Sequence, residues 1–166
     1  IGYFSETLAT ELREIWQHGG FVYVMGNGGS DSTAQHMVID FLSIRYTLGY
    51  PIRIEALTCN SPVVTAIGND LGFEYIFAKQ LEIKLTDGDL CIFISASGNS
   101  KNLINAYEIA KVRGARTIGL LGFDGGELKK MVDYCFLVET EIGEYGIVED
   151  IHLSVVHATA EELRSK

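Results

Sequence analysis

Two glycine- and serine-rich segments, Gly26-Asn27-Gly28-Gly29-Ser30 and Ser95-Ala96-Ser97-Gly98-Asn99-Ser100, constrain this chain more than any other feature. Each follows a short apolar run that reads as a strand, and each opens a stretch with helical periodicity. Glycine lets a backbone turn sharply and approach a ligand closely. A helix N-terminus adds unpaired N–H donors and a partial positive charge, which together favour a phosphate. The serines contribute neutral hydroxyl donors that hold a phosphorylated molecule reversibly. Two such loops after two strands imply a site for a small phosphorylated ligand.

The strand-like runs are Phe21–Met25, Ile52–Leu57 entered at Pro51, Leu90–Ile94, Thr117–Leu121 and Tyr134–Val138. Between them, Leu8, Leu12, Ile15 and Trp16 share one helical face that Gly19-Gly20 ends. Ser30 or Asp31 is the predicted cap of a helix reaching about Leu42. Pro62 to about Leu85 reads as helix, broken around Gly68-Asn69-Asp70 and again near Gly72. Asn102–Val112 is a predicted helix closed by Gly114, Asp124-Gly125-Gly126 turns into a short helix, and a last helix runs from about Ile147 to Leu163. Short apolar strands alternating with helices predict an α/β fold: five parallel strands, helices on both faces, a single domain over residues 1–166. Ligands of such sheets bind beyond the carboxyl ends of the strands, where both loops lie.

Composition narrows the partners. The chain has 166 residues, 47% of them hydrophobic, and a formal charge of −9. That charge repels polyanions at long range, which argues against nucleic acid or an anionic membrane as partner. No apolar stretch approaches the ~18 residues of a membrane span, and no signal peptide opens the chain, so the expected location is cytoplasmic. Cys59, Cys91 and Cys135 lack CxxC spacing and read as buried, reduced thiols. Gly26-Asn27-Gly28 begins like a dinucleotide fingerprint, but Asp31 stands where a third glycine is wanted. Glu55 sits inside an apolar strand instead of at its end, and neither loop holds the Gly-Lys-Ser/Thr of a P-loop.

His36 and Asp40 are four residues apart on one predicted helix and project from the same face. Imidazole plus carboxylate suits zinc, though the same spacing also describes a plain surface pair. The last helix carries Glu149, Asp150, His152 and His157. Glu149 and His157 lie roughly 12 Å apart along the helix axis, so both reach one ion only if their arms converge.

Gly26–Ser30 with Ala34-Gln35-His36, Thr65-Ala66-Ile67-Gly68-Asn69-Asp70, Ser95–Ser100, Asp124-Gly125-Gly126 and the histidine-bearing last helix together carry a family resemblance. At these residues the chain resembles the sugar isomerase (SIS) domain family, in its phosphoheptose isomerase subgroup. The resemblance implies an aldose–ketose isomerase that converts sedoheptulose 7-phosphate to a heptose 7-phosphate through an enediol. It assigns the phosphate to Ser30, Ser95, Ser97 and Ser100, with Gly28, Gly29 and Ala96 in the loops and Asn27 near the sugar. Relatives often have Thr where Ala96 stands, so one hydroxyl is lost here and its backbone N–H kept. Asp40 and His157 would be the catalytic pair, and His36, Asp40, His157 and Glu149 the holders of a zinc ion.

Several positions depart from the subgroup. Asp40 stands in place of a glutamate and is one methylene shorter, Glu149 in place of a metal-binding glutamine, and Gly146 in place of an acid. Asp70 matches a polar active-site position but also suits a helix cap. Arg45 is a substrate contact only if one extra residue before it is accommodated. The subgroup's additional N-terminal helix is expected upstream of Ile1. A homotetramer, with neighbouring subunits completing the sites, and a place in bacterial surface-polysaccharide or heptose synthesis also follow from the resemblance. Its alternatives are an isomerase or epimerase of another sugar phosphate, a sugar-phosphate-sensing regulatory module, and a non-catalytic relative that binds the bacterial replication initiator. That last relative lacks the histidine and acid set that this chain keeps.

Overall fold

In the computed structural model, which describes residues 1–165, five parallel strands form one sheet in the order β2-β1-β3-β4-β5. The strands are β1 (Val22–Gly26), β2 (Ile54–Ala56), β3 (Leu90–Ser95), β4 (Arg116–Gly122) and β5 (Tyr134–Val138). The helices are α1 (Gly2–Gln17), α2 (Gly29–Ser43), α3 (Arg45–Leu48), α4 (Ser61–Asp70), α5 (Ala78–Lys84), α6 (Lys101–Val112) and α7 (Tyr145–Ser165). Short 3-10 turns occupy Phe73–Tyr75 and Leu128–Lys130.

Apolar residues run nearly continuously along the central strands because both faces are covered. Val22, Val24, Leu90, Ile92, Ile94, Ile118 and Leu120 join one core with Leu8, Leu12 and Trp16 of α1, Met37 and Phe41 of α2, and Val155, Val156 and Leu163 of α7. Their alternates Tyr23, Met25, Cys91, Phe93 and Leu121 join the other with Phe77, Leu81, Leu103 and Tyr107 under α5 and α6. Burying each such side chain contributes about 1.5–3 kcal/mol, so neither face can be exposed cheaply.

From β1 the chain winds one way to β2, and from β3 the other way to β4 and β5. The crevice between β1 and β3 is therefore the topological switch point, where open α/β sheets bind ligands. Gly26 pairs with Ile94 in register, so the two glycine–serine loops leave the sheet side by side.

Four local expectations are corrected. Gly28, not Ser30 or Asp31, is the N-cap of α2; its φ of 57° is a left-handed conformation suited to glycine, and it places Ser30 inside the first turn. The α-helix after Pro62 is interrupted over residues 71–77, near Gly72 as expected, where Gly72 takes a φ of 117°, but Gly68–Asp70 stay helical. β2 is shorter than Ile52–Leu57 because only Ile54–Ala56 pair with β1. Of the three cysteines only Cys91 is buried; Cys59 is exposed in the turn after β2 and Cys135 is half-buried on the edge strand.

His152 is completely buried. Its Nε2–H donates to the Leu121 carbonyl at 3.0 Å, which ties α7 to β4. Nδ1 has no partner, and burial pushes the imidazole down to about 4 despite the carbonyl bond, which acts the other way. Below about pH 6.5 an unfolded chain takes up the proton that the folded state refuses until about pH 4. Stability is thus lost as pH falls through that window, by roughly 3 kcal/mol from this one group. His152→Gln keeps an N–H for Leu121 and removes the titration. Urea denaturation between pH 7 and 4 is expected to give a shallower loss in this variant than in the wild type; equal slopes would contradict the assignment.

Candidate active site

The two loops wall a cleft of about 180 Å³ lined by Asn27, Ser30, Ile94, Ser95, Ala96, Ser97, Ser100, Tyr145 and Glu149. Ser95 Oγ accepts a bond from the Gly98 N–H at 3.0 Å, and Ser97 Oγ accepts one from the Asn99 N–H at 3.3 Å. Both hydroxyl hydrogens stay available to a ligand. Ser100 is the N-cap of α6 without a side-chain capping bond, so its hydroxyl is also uncommitted. The donors of α2 and α6 converge on this cleft, an arrangement suited to an anion.

Gly98 holds the serine loop in a left-handed conformation, φ 62°, and a Cβ there would overlap the Gly125 carbonyl. A Cβ at Gly126 would likewise overlap the Ser97 carbonyl. The Leu128 N–H donates to the Gly98 carbonyl at 3.1 Å and the Glu127 N–H to Asn99 Oδ1 at 3.0 Å. The Asp124-Gly125-Gly126 turn is therefore the support on which the serine loop rests.

The loops are also joined directly. Asn27 Nδ2 donates to Asn102 Oδ1 at 3.0 Å, and Asn102 Nδ2 returns a bond to Asn27 Oδ1 at 2.8 Å. Asn102 is buried, and sequence reasoning missed it. Its signal was available: a buried-side polar residue in the first turn after the serine loop, facing back toward β1. Tyr145, whose ring packs edge-on against Phe123 at 5.1 Å, was missed too, with no motif to mark it.

The second cluster lies further along α2 and α7. His157 Nε2 is 3.1 Å from His36 Nε2, and Asp40 Oδ2 is 3.5 Å from His36 Nε2 and 3.6 Å from His157 Nε2. Four ligands around zinc at ~2.0–2.1 Å sit about 3.3 Å from one another, so these three atoms have the spacing of three tetrahedral corners. Two nitrogens and an oxygen with one corner open is the donor set of a catalytic zinc site. The side chains of His36 and His157 are 44% and 53% exposed, so the group is open to solvent.

Glu149 does not join that group. Its carboxylate lies against Gly29, where any Cβ would overlap it, at the head of α2 and in the wall of the cleft. Asp70 ends α4 on the surface, accepts a bond from Asn69 Nδ2 at 2.8 Å, and belongs neither to the lining of the cleft nor to the histidine–aspartate group. It caps no following helix, since the next turn starts at Gly72 without a side-chain cap. Arg45 is exposed and donates to the Leu42 carbonyl and to Tyr46 Oη. Gly146 lies exposed in the first turn of α7 with open space around it. Glu55 is paired with Lys84 in the middle of β2, inside the strand as expected.

A SIS domain profile matches residues 6–122 of the chain. The chain is 38% identical over 152 residues to the phosphoheptose isomerase of Aneurinibacillus thermoaerophilus, covering 92% of this chain and 76% of that protein. It is 40% identical over 158 residues to the phosphoheptose isomerase of Fusobacterium nucleatum, covering 95% and 79%. The structure of a phosphoheptose isomerase from Francisella tularensis aligns with a TM-score of 0.88 at 30% identity, covering 98% of this chain and 85% of that one. The enzyme from Neisseria gonorrhoeae aligns with a TM-score of 0.86 at 30% identity, covering 98% and 87%. The chain belongs to the SIS domain family, in its phosphoheptose isomerase subgroup, and is an isomerase.

Removing Asn102 would leave the Asn27 amide without its partner in a half-buried position. Asn102→Ala is expected to lower stability by about 1–3 kcal/mol. It should also weaken sugar-phosphate binding, because the loops lose their cross-tie. Chemical denaturation and calorimetric titration check the two effects.

Proposed function

We propose that the chain is an aldose–ketose isomerase that interconverts sedoheptulose 7-phosphate and D-glycero-D-manno-heptose 7-phosphate. One observation carries this reading: the hydroxyl-lined cleft and the His36–Asp40–His157 group are two ends of one seam between α2 and α7. Contacts at Gly29 with Glu149 and at His36 with His157 fix the two helices as parallel neighbours. Seven or eight residues of helix separate these levels, roughly 10–12 Å at ~1.5 Å per residue. An extended heptulose phosphate places its phosphorus about 9–10 Å from C1 and C2, whereas a triose phosphate reaches only about 5 Å. The relatives named above are phosphoheptose isomerases, which agrees with a substrate of the longer kind.

In this reading Ser30, Ser95, Ser97, Ser100 and the loop amides at Gly28, Gly29 and Ala96 bind the phosphate, with Asn27 beside the sugar. The reacting carbons then lie over the histidine–aspartate group. Asp40 Oδ2 faces both imidazoles, which leaves Oδ1 to take the proton from C1 of the ketose. Asp40 then returns that proton to the enediol at C2, while His157 serves the hydroxyl hydrogens that move between O1 and O2. C1 is oxidised and C2 reduced within one molecule, so no external electron carrier is needed. General acid–base catalysis of this type contributes ~10²–10⁴-fold. His36, Asp40 and His157 fit a zinc ion, which when bound would supply Lewis-acid polarisation of the carbonyl oxygen. Ile39 of α2 and Tyr46 of α3 are exposed apolar side chains close in sequence to Asp40, and they would offer a surface on which a neighbouring subunit of a tetramer closes the site.

The test is conversion of sedoheptulose 7-phosphate by the protein, with zinc and with chelator. Turnover is expected with zinc, falling at least ~10²-fold in Asp40→Asn, the loss of one acid–base group. Binding of the sugar phosphate without turnover in any condition would favour a different sugar or a non-catalytic role.

A further inference from the structure

The phosphate cleft is built without a cation. Its walls offer hydroxyls, an amide and one carboxylate, on a chain whose formal charge is −9. Neutral donors and helix ends hold a phosphate once it has arrived, but the field of such a chain opposes the approach of a dianionic ester. Beside the cleft lies a second cavity of about 310 Å³, walled by Asn27, Phe73, Glu74, Ser100, Lys101 and Asn102. The two share Asn27 and Ser100 and so meet where the glycine loop and the serine loop leave the sheet.

Lys101 is the cation in that second wall. It is the first residue of α6, where the helix presents its positive end, so its charge works against the dipole. Its side chain is exposed and takes part in no ion pair among the described residues. Glu74, the acid of the same cavity, is half-buried with its carboxylate turned back against Gly72. The fold therefore carries an unfavourably placed charge that no salt bridge uses, one residue past a serine of the phosphate loop.

We propose that Lys101 is the capture cation of this site, drawing the anionic ester into the cavity beside Ser100 and raising its affinity without touching the reacting carbons. This rests on the phosphate reading of the cleft given above. Screening at physiological salt confines the pull of an exposed charge to about 8 Å, so a capture cation has to stand at the rim, as Lys101 does. An ammonium on a flexible stem is a hydrated point charge that attracts a phosphate without imposing one geometry on it. A phosphate seated beside Ser100 also relieves the conflict between Lys101 and the start of α6. At roughly 7 Å in a water-like dielectric, one positive charge facing a dianion changes affinity about 3–10-fold.

Calorimetric titration with sedoheptulose 7-phosphate tests this on the wild type, Lys101→Met, Lys101→Arg and Ser97→Ala. The salt concentrations are about 0.01 M, where charges act over ~30 Å, and about 1 M, where they act over ~3 Å. At low salt Lys101→Met is expected to bind about 3–10-fold more weakly than the wild type, while Lys101→Arg stays within about twofold of it. The deficit of Lys101→Met should close at high salt, which lost packing would not do. Equal affinities of wild type and Lys101→Met at low salt, or a deficit that persists unchanged at high salt, would overturn the capture role. If Ser97→Ala weakens binding while Lys101→Met does not, the phosphate cleft stands and only the role of Lys101 falls. If Ser97→Ala leaves binding unchanged, the phosphate reading fails and takes this inference with it.

Discussion

The packing of α2 against α7 is the contact on which the rest of the site depends. Both helices enter from the carboxyl edge of the sheet and run in the same direction, one after β1 and the other after the edge strand β5. α7 returns over β4 to reach α2, where Val155, Val156, Ala160 and Leu163 share a core with Ala34, Met37 and Phe41. That burial, with the His152 bond to the Leu121 carbonyl, fixes the helical register that brings His157 opposite His36 and Glu149 opposite Gly29. A slip of one residue would rotate each of these side chains by about 100° and dissolve both pairings.

The cleft depends on a second, polar constraint. Loops at the ends of neighbouring strands are free to diverge, and here the paired amides of Asn27 and Asn102 hold them together. The glycine turn at Asp124–Gly126 supports the serine loop from below, at positions where side chains would collide with carbonyls. The hydroxyls that face the cleft are thus positioned by groups that do not face it.

Much of the fold was legible because parallel strands covered on both faces read as unbroken apolar runs. Val22–Gly26 and Leu90–Ser95 are examples. The ends of elements were less so, since they depend on backbone conformation: Gly28 caps α2 through a left-handed φ, although Ser30 and Asp31 are the better capping side chains. Helical spacing put His36 and Asp40 on one face, and the same arithmetic kept Glu149 a full 8 residues from His157, the separation that the structure preserves by turning the carboxylate toward Gly29. What no spacing could give was pairing between distant segments. Asn102 with Asn27 and His157 with His36 are contacts across more than 70 and 120 residues, created only when the sheet and its helices assemble.

The central claim is that one ligand spans the seam, with its phosphate in the serine loops and its reacting carbons over the histidine–aspartate group. Anomalous diffraction from crystals grown with zinc and soaked with sedoheptulose 7-phosphate addresses it most directly. The account expects a zinc peak among His36, Asp40 and His157, and the sugar's phosphorus among Ser95, Ser97 and Ser100, about 10 Å away. A phosphate bound elsewhere, or a sugar whose carbonyl end points away from the metal, would contradict it.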